Sequence, residues 1–235
     1  MGDLDRFDAV LFDLDGVITS TAEQHFAAWK QMFDDFLRRR AERLGDELVP
    51  FERDDYNRYV DGLPRDDGVR RFLAARGVVL SEGDPDDPPE AETVHGVGRR
   101  KNDLVNRVIR EQGVKVYEGS VELLRHLRRR GVKTALVSSS KNAAMVLEVV
   151  GVTDLFDTRV DGEVAAELGL AGKPSPATFI AAAERLGVPP ARAVVVEDAL
   201  SGVEAGRNGG FGLVVGVDRV GQAEALRDHG ADLVV

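Results

Sequence analysis

The sequence predicts an α/β protein with a parallel sheet covered by helices on both faces and a helical segment inserted after the first strand. Apolar runs that do not alternate with polar residues occur at 9–12, 133–137, 193–196 and 213–217, with a fifth candidate at 232–235. Such runs are typical of strands that are buried on both faces. Helical periods lie between them, and strands alternating with helices indicate a doubly wound sheet.

Three of these helices are predicted from apolar residues three or four positions apart, each with glycine after it, and the first and third with serine or proline before it. Their apolar positions are Val121, Leu124 and Leu127; Ala144, Leu147 and Val150; and Phe179, Ala183 and Leu186. Gly131, Gly151 and Gly187 mark their ends. Each predicted helix therefore fits between two predicted strands.

Residues 21–112 do not show this alternation of strands and helices, and their pattern predicts an all-helical insert. Its first helix carries an apolar stripe made of Phe26, Trp29, Phe33, Phe36 and Leu37. Residues 66–76 and 101–112 predict two further helices. The acidic, proline-rich segment 83–92 is interpreted as a solvated loop with no role of its own.

Composition excludes several functions. The chain has 235 residues, 43% of them hydrophobic and 31% charged, as expected for a soluble globular protein. Its net charge of -10 opposes binding to nucleic acid. Cysteine is absent, which excludes disulfides and thiol chemistry and favours a reducing, cytoplasmic setting.

The two ends of the chain carry expectations of their own. The first ten residues fit neither a signal peptide nor a membrane span, so we expect no membrane partner. The sequence ends at Val235, directly after the last apolar run. Whether a final helix belongs after this point is left open.

Polar side chains follow the carboxyl ends of three predicted strands, the edge at which reactive groups collect in open α/β sheets. They are Asp13 and Asp15 after the first strand, Ser138, Ser139, Ser140, Lys141 and Asn142 after the second, and Glu197 and Asp198 after the third. Lys173 lies in a Gly-Lys-Pro turn between the last two. We expect all of them at one edge of the sheet.

A cluster of acids at one edge needs a cation, because two like charges 4 Å apart repel by roughly 4 kcal/mol at an effective dielectric near 20. Carboxylate oxygens suit Mg²⁺, which is usually held by one or two carboxylates and a substrate phosphate. Asp13 could attack phosphorus to form an aspartyl-phosphate, with Lys173 neutralising the phosphate oxygens. Asp15 could act as general acid and base. The hydroxyl and backbone N–H groups of Ser138 and Ser139, before a helix predicted near residue 141, could bind the remaining oxygens.

Each motif also has a purely structural interpretation. Asp-x-Asp-Gly is usually a turn, three serines before a helix usually cap it, and Glu-Asp often begins a helix. Their occurrence together, in this order and at strand ends, favours the catalytic interpretation.

The same residues resemble the four motifs of the haloacid dehalogenase superfamily: residues 12–17, the serine after the second strand, Lys173-Pro174, and Glu197-Asp198. Segments 15–30, 62–65, 100–103, 138–142 and 173–188 further resemble its β-phosphoglucomutase-like subfamily. The resemblance covers nearly the whole chain. It implies a Rossmann-like catalytic core at 1–20 and 113–235 and an α-helical cap at 21–112.

The resemblance also implies a role for each core residue. Asp13 is the expected nucleophile and Asp15 the acid/base. The expected Mg²⁺ ligands are Asp13, the Asp15 carbonyl and Asp198, with Glu197 acting through a water. Ser138 and Lys173 are expected to hold the transferring phosphate.

Further residues become substrate-binding candidates through the resemblance alone. Arg65 is expected to bind a distal phosphate, Lys101, Lys141 and Asn142 to contact sugar or phosphate, and His25 to couple cap closure to Asp15. Trp29, Gly62, Ser139 and Ser140 complete the set. Without the resemblance, the histidine and the arginine would be interpreted as ordinary surface or core residues.

The implied activity is interconversion of β-D-glucose 1-phosphate and glucose 6-phosphate by a monomer. The chain departs from the usual mutase pattern at Asp61, Gly68 and Ser20, where lysine, serine and aspartate are more common. These departures leave open a Mg²⁺-dependent phosphatase acting on another sugar phosphate, such as trehalose 6-phosphate. A binding protein without turnover is disfavoured, because Asp13 and Asp15 are both present.

Overall fold

The computed structural model describes residues 6–45 and 49–235 and contains a six-stranded parallel sheet. Its strands are β1 (Ala9–Phe12), β2 (Lys133–Val137), β3 (Thr158–Val160), β4 (Ala193–Glu197), β5 (Leu213–Gly216) and β6 (Leu233–Val234). Their order across the sheet is β3-β2-β1-β4-β5-β6, and every neighbouring pair is parallel. The predicted α/β fold class is confirmed.

Ten α-helices are assigned within the described residues. They are α1 (Ala22–Leu44), α2 (Arg53–Tyr59), α3 (Arg65–Ala75), α4 (Val94–Gln112), α5 (Glu118–Arg129), α6 (Ala143–Val150), α7 (Gly162–Glu167), α8 (Ala177–Leu186), α9 (Leu200–Asn208) and α10 (Ala223–Asp228). None of the helices in the described ranges combines the length and the apolar character that a membrane crossing requires.

The strands predicted from apolar runs are all present, whereas β3 was not predicted. Every residue of β1 and of β4 is buried, which explains why these two strands lack an alternating pattern. β3 has three residues, only one of them buried, and it lies at the edge of the sheet. Its short polar sequence therefore gives no apolar run.

The chain divides into two compact units. Unit 1 comprises the described residues of Met1–Ser20, together with Gly62–Pro64 and Val114–Val235, and it contains the sheet. Unit 2 comprises Thr21–Asp61 and Arg65–Gly113, and its regular elements are helices α1 to α4. In unit 1, α8 packs on β1, β2 and β3, and α9 packs on β4 and β5.

Unit 2 is built around aromatic side chains from the predicted stripe. Trp29 and Phe33 are stacked with centroids 5.2 Å apart, and Phe33 lies 4.3 Å from Phe72 on α3. Trp29, Phe33 and Phe36 are buried, while Phe26 and Leu37 are partly buried against them. Aromatic side chains bury large apolar areas, and such contacts are a main stabilising contribution in a small helical core.

Two helices of unit 2 differ from the prediction. α2 was not predicted, because its sequence RDDYNRY is mostly charged and shows no apolar period. α4 begins at Val94, seven residues before the predicted start, because the Thr93 hydroxyl accepts a hydrogen bond from Gly96 N at 3.1 Å and caps the helix. In the mostly exposed 83–92 loop, Asp87 accepts a 2.6 Å hydrogen bond from the Thr93 hydroxyl and so supports this cap.

Candidate active site

The carboxyl ends of three adjacent strands position the core residues of the predicted site. Asp13 directly follows β1, Ser138 follows β2, and Glu197 ends β4. The sheet continues into these positions, because Asp13 N donates to Val196 O at 3.0 Å and Ser138 N to Val160 O at 3.1 Å. The strands therefore fix the backbone from which the polar side chains project.

The Lys173 side chain contacts residues at the ends of all three strands. Its side chain is almost fully buried, and its Nζ donates to Asp13 Oδ1 at 2.6 Å, to a Glu197 carboxylate oxygen, and to the Val137 carbonyl at 3.3 Å. A buried ammonium with three oxygen acceptors is fully satisfied. Lys173 is thus held where it neutralises two carboxylates.

Carboxylate oxygens of Asp13, Glu197 and Asp198 lie within 4.8 Å of one another, which makes them a candidate metal group in the described part of the chain. The Asp15 side chain does not belong to this group of described residues. Lys173 contacts two of these three carboxylates, and oxygen donors alone are the set that Mg²⁺ prefers. The donor type and the grouping of three carboxylates fit a divalent cation, and we call Asp13, Glu197 and Asp198 the acidic group.

Burial is the largest influence on the pKa of Asp13. It raises the pKa of Asp13 well above its usual range, an effect that the nearby Lys173 only partly offsets. Burial alone would lower the pKa of Lys173, but the Asp13 and Glu197 carboxylates outweigh it and raise this pKa. Lys173 therefore stays cationic.

Glu197 is held on both sides of its carboxylate. One oxygen accepts from Lys173 and the other accepts from Ala199 N at 2.9 Å. Gly202 on α9 makes room for it, since a Cβ at Gly202 would lie 1.9 Å from Glu197 Oε1. Glu197 therefore orients Lys173 in addition to contributing charge to the acidic group.

Gly16 brings the loop after β1 directly against Asp198. Its φ is +82°, and a Cβ placed there would lie 1.7 Å from Asp198 Oδ2. The position thus demands glycine for two reasons, the left-handed backbone and the close approach of a carboxylate. The Asp-Gly pair at 15–16 was the only sequence signal for this contact.

We expect Gly16→Ala to displace Asp198 and to weaken Mg²⁺ binding, because the new methyl group would overlap the carboxylate. The left-handed backbone adds about 1 to 2 kcal/mol of strain. Mg²⁺ titration by calorimetry and urea unfolding would measure the two effects.

Gly151→Ala is the matched control for this substitution. Gly151 has a φ of +68° but no atom within 4 Å of an added Cβ, so it carries the backbone strain without the overlap. This variant should lose stability while retaining wild-type Mg²⁺ affinity. Equal Mg²⁺ affinity in the two variants would contradict the assigned contact.

The serine loop after β2 differs in detail from the prediction. Both the hydroxyl and the backbone N–H of Ser138 were expected to be free to bind phosphate. The N–H instead donates within the sheet, so only the hydroxyl is left for that role. Ser138 Oγ accepts from Ser140 N, and Ser140 Oγ accepts from Asn142 N, both at 3.1 Å. Two serine turns therefore precede the helix, which begins at Ala143, two residues after the predicted start near Lys141.

Within unit 1, the serine loop also contacts the segment Gly62–Pro64. Ser139 Oγ donates to Gly62 O at 2.8 Å. Gly62 has a φ of +70°, and an added Cβ would lie 2.4 Å from Ser201 Oγ. The predicted residues Gly62 and Ser139 are thus in direct contact, while Lys141 is exposed.

Unit 2 brings together three of the other predicted residues. Lys101 Nζ lies 3.0 Å from His25 Nδ1 and 5.0 Å from the Trp29 ring, and Lys101 is buried. An ammonium can only donate, so Lys101 acts as the donor and His25 Nδ1 as the acceptor when the lysine is charged.

Arg65 lies elsewhere in unit 2, at the start of α3. Its Nε donates to Asp66 Oδ1 at 2.9 Å, and Asp66 Oδ2 lies 3.2 Å from His95 Nδ1. Gly98 leaves space for the arginine, because an added Cβ would lie 2.8 Å from Arg65 Nε. Arg65 is therefore a positioned side chain, only partly exposed.

A further loop, which was not predicted from the sequence, lies at the same sheet edge. Residues 217–222 follow β5, and Arg219 and Gln222 donate to backbone carbonyls of the two acidic loops. Their position after a strand end was the available signal, but no acidic or serine motif marks them.

A six-stranded parallel sheet with an aspartate after β1, a serine after β2, a buried lysine and an acidic pair after β4 is the arrangement of haloacid dehalogenase-like hydrolases. Residues 7–210 match that family. The chain belongs to the haloacid dehalogenase-like hydrolases, in their β-phosphoglucomutase-like branch.

Similar proteins support this placement. A protein named β-phosphoglucomutase from Mycobacterium bovis is 51% identical over 235 residues, 98% of this chain and 90% of its own length. One of the same name from Bacillus subtilis is 35% identical over 227 residues, 97% of this chain and 88% of its own. The crystal structure of a Clostridium difficile β-phosphoglucomutase has a TM-score of 0.76 at 28% identity, covering 97% of this chain and 90% of that one.

Proposed function

We propose that this protein interconverts β-D-glucose 1-phosphate and glucose 6-phosphate through an aspartyl-phosphate at Asp13. The observation that carries the proposal is the buried contact of Asp13 with Lys173, inside a group of carboxylates suited to a divalent cation. The similarity to proteins named β-phosphoglucomutase supports the choice of sugar.

In the proposed reaction, phosphorylated Asp13 transfers its phosphoryl group to the 6-hydroxyl of β-glucose 1-phosphate. Asp15 takes the proton of that hydroxyl as general base. The 1-phosphoryl group of the resulting bisphosphate then returns to Asp13, and Asp15 gives the proton to the departing O1. Atoms and charge balance over the cycle, and the product is glucose 6-phosphate.

Mg²⁺ held by Asp13, the Asp15 carbonyl and Asp198, with Glu197 acting through a water, would neutralise the oxygens of the transferring group. Lys173 and the Ser138 hydroxyl hold the same oxygens. Lysine suits this role because it is buried and remains charged.

We assign the sugar and its distal phosphate to the remaining predicted residues. Arg65 is assigned to the distal phosphate, and His25 is assigned to couple cap closure to Asp15. Contacts to sugar or phosphate are assigned to Trp29, Gly62, Lys101, Ser139, Ser140, Lys141 and Asn142. Such a cap is required because the aspartyl-phosphate must meet a sugar hydroxyl before it meets water.

Product analysis tests the proposal directly. We expect purified protein with β-glucose 1-phosphate, Mg²⁺ and a trace of glucose 1,6-bisphosphate to yield glucose 6-phosphate, measured by coupled dehydrogenase assay. Omitting the bisphosphate should introduce a lag, because unphosphorylated Asp13 cannot start the cycle.

The matched control replaces β-glucose 1-phosphate with the α anomer. In the reaction with β-glucose 1-phosphate, release of inorganic phosphate without formation of glucose 6-phosphate would refute the mutase activity and identify a phosphatase. A panel that includes trehalose 6-phosphate would then find its substrate.

A further inference from the structure

The loop after β5, residues 217–222, contacts both acidic loops of unit 1, and we call it the β5 loop. Arg219 Nε donates to Gly16 O at 2.7 Å. Gln222 Nε2 donates to Asp198 O at 3.0 Å. One loop thus holds the backbone carbonyls of two segments that carry the acidic side chains.

Several hydrogen bonds fix the β5 loop itself. Asp218 N donates to Val235 O at 2.8 Å, and Val217 N donates to Glu197 O at 2.7 Å. The Asp218 carboxylate accepts from the backbone N–H groups of Val220, Gly221 and Gln222 at 3.2, 2.7 and 2.9 Å. Because the turn is closed by its own aspartate, Arg219 and Gln222 start from a defined backbone.

The Arg219 side chain is fixed at a second point. Its guanidinium carbon lies 3.6 Å from the centroid of the Tyr117 ring, a close cation–π contact. Tyr117 N in turn donates to Ile18 O at 2.9 Å. Arg219 therefore bridges the loop after β1 and the segment that leads into α5.

The carbonyls that receive these bonds belong to the contact between the acidic loops. Gly16 lies so close to Asp198 that an added Cβ would meet its carboxylate at 1.7 Å. Gly16 N also donates to Thr19 O at 2.7 Å, which orients the peptide that carries the Asp15 carbonyl. A small shift of either loop would therefore move two proposed metal ligands relative to each other.

We propose that Arg219 and Gln222 are positioning residues that set the spacing of the acidic group for its divalent cation. This inference rests on the proposed function, since it concerns the cation site of that reaction. Both side chains act through backbone carbonyls, and neither is assigned a contact with substrate. Partners of this kind, one step removed from the ligands, typically change metal affinity by about 10- to 100-fold when removed.

Charge and geometry predict opposite changes in Mg²⁺ affinity when Arg219 is replaced. A cation beside a cation site repels the metal, so removing the arginine charge alone would tighten Mg²⁺ binding. Loss of positioning would weaken it. The direction of the change in affinity therefore separates the two explanations.

The test measures Mg²⁺ binding to the substrate-free protein by calorimetry in the wild type and in Arg219→Met, Arg219→Lys and Gln222→Met. We expect the Kd for Mg²⁺ to rise on the order of 10-fold in each variant. The Arg219→Lys variant should not recover wild-type affinity, because lysine keeps the charge but lacks the planar group that stacks and donates. The KM for sugar phosphate at saturating Mg²⁺ should stay unchanged.

Arg192→Met is the matched control. Arg192 also belongs to unit 1 and donates to Asp8 at 2.7 Å, at the opposite ends of β1 and β4. It should bind Mg²⁺ as the wild type does. Thermal melts identify any variant that fails to fold. If the arginine variants fail to fold, Gln222→Met still provides the test, because it loses a single hydrogen bond.

Unchanged or tighter Mg²⁺ binding in Arg219→Met and Gln222→Met would overturn the inference, as would full recovery in Arg219→Lys. A wild type that binds Mg²⁺ but yields no glucose 6-phosphate would refute the proposed function, while the Kd series would still decide this inference. Absence of Mg²⁺ binding by the wild type would refute both.

Discussion

Asp13→Asn is expected to lower phosphoryl transfer by at least about 10⁴-fold, because an amide cannot form the acyl-phosphate bond. The fold should remain intact or become more stable. Asparagine has nearly the same shape, and burial already raises the pKa of the Asp13 carboxyl, which shows that its charged form is costly at this site. Lys173 retains Glu197 as its partner.

Turnover and ligand trapping both report on this variant. The wild type should trap beryllofluoride, a mimic of the phosphoryl group on a carboxylate, and fluorine NMR should show no such complex with Asp13→Asn. Asp8→Asn is the matched control, since Asp8 is an exposed aspartate immediately before β1 and should be dispensable for activity. Substantial activity or trapping in Asp13→Asn would refute the nucleophile assignment.

Lys173→Met is expected to remove activity and to destabilise the fold by about 3 to 5 kcal/mol. The substitution leaves two buried carboxylates, Asp13 and Glu197, without the ammonium that both now contact. Breaking a buried ion pair costs more than the pair contributes, because the remaining charges stay desolvated. Urea unfolding would give the loss directly.

The double variant Lys173→Met with Glu197→Gln separates charge from packing. It removes one of the two unpaired carboxylates and should recover part of the lost stability without recovering activity. It also keeps the test possible if the single variant fails to fold. The control is Lys133→Met, since Lys133 is exposed and donates to the Leu186 carbonyl at 2.5 Å. A Lys173→Met variant as stable as the Lys133→Met control would contradict the buried charge cluster.

Local patterns in the sequence were sufficient to predict the central strands of the sheet. The runs at 9–12 and 133–137 are β1 and β2 with the same bounds, because strand residues buried on both faces of a sheet are mostly apolar. Because reactive groups follow strand ends, Asp13, Lys173 and Glu197 were also predicted to lie at one edge of the sheet. In the structure, Lys173 contacts both carboxylates.

Other elements lack an apolar period by which they could be predicted. β3 and α2 have mostly polar sequences; β3 is formed by pairing with β2, and α2 begins at a capping box made by Glu52 and Asp55. The early start of α4 does have a local cause, the Thr93 cap, but two helix-weakening glycines follow that cap and obscure it.

The sequence by itself determined the fold class and the residue types of the site, because apolar periodicity and strand-end motifs are properties of short segments. Tertiary structure alone decided how these groups interact: that Lys173 is shared between Asp13 and Glu197, that Gly16 lies against Asp198, and that the β5 loop holds both acidic loops. Each of these contacts joins residues far apart in the chain. Their distances depend on strand order, and so no local pattern encodes them.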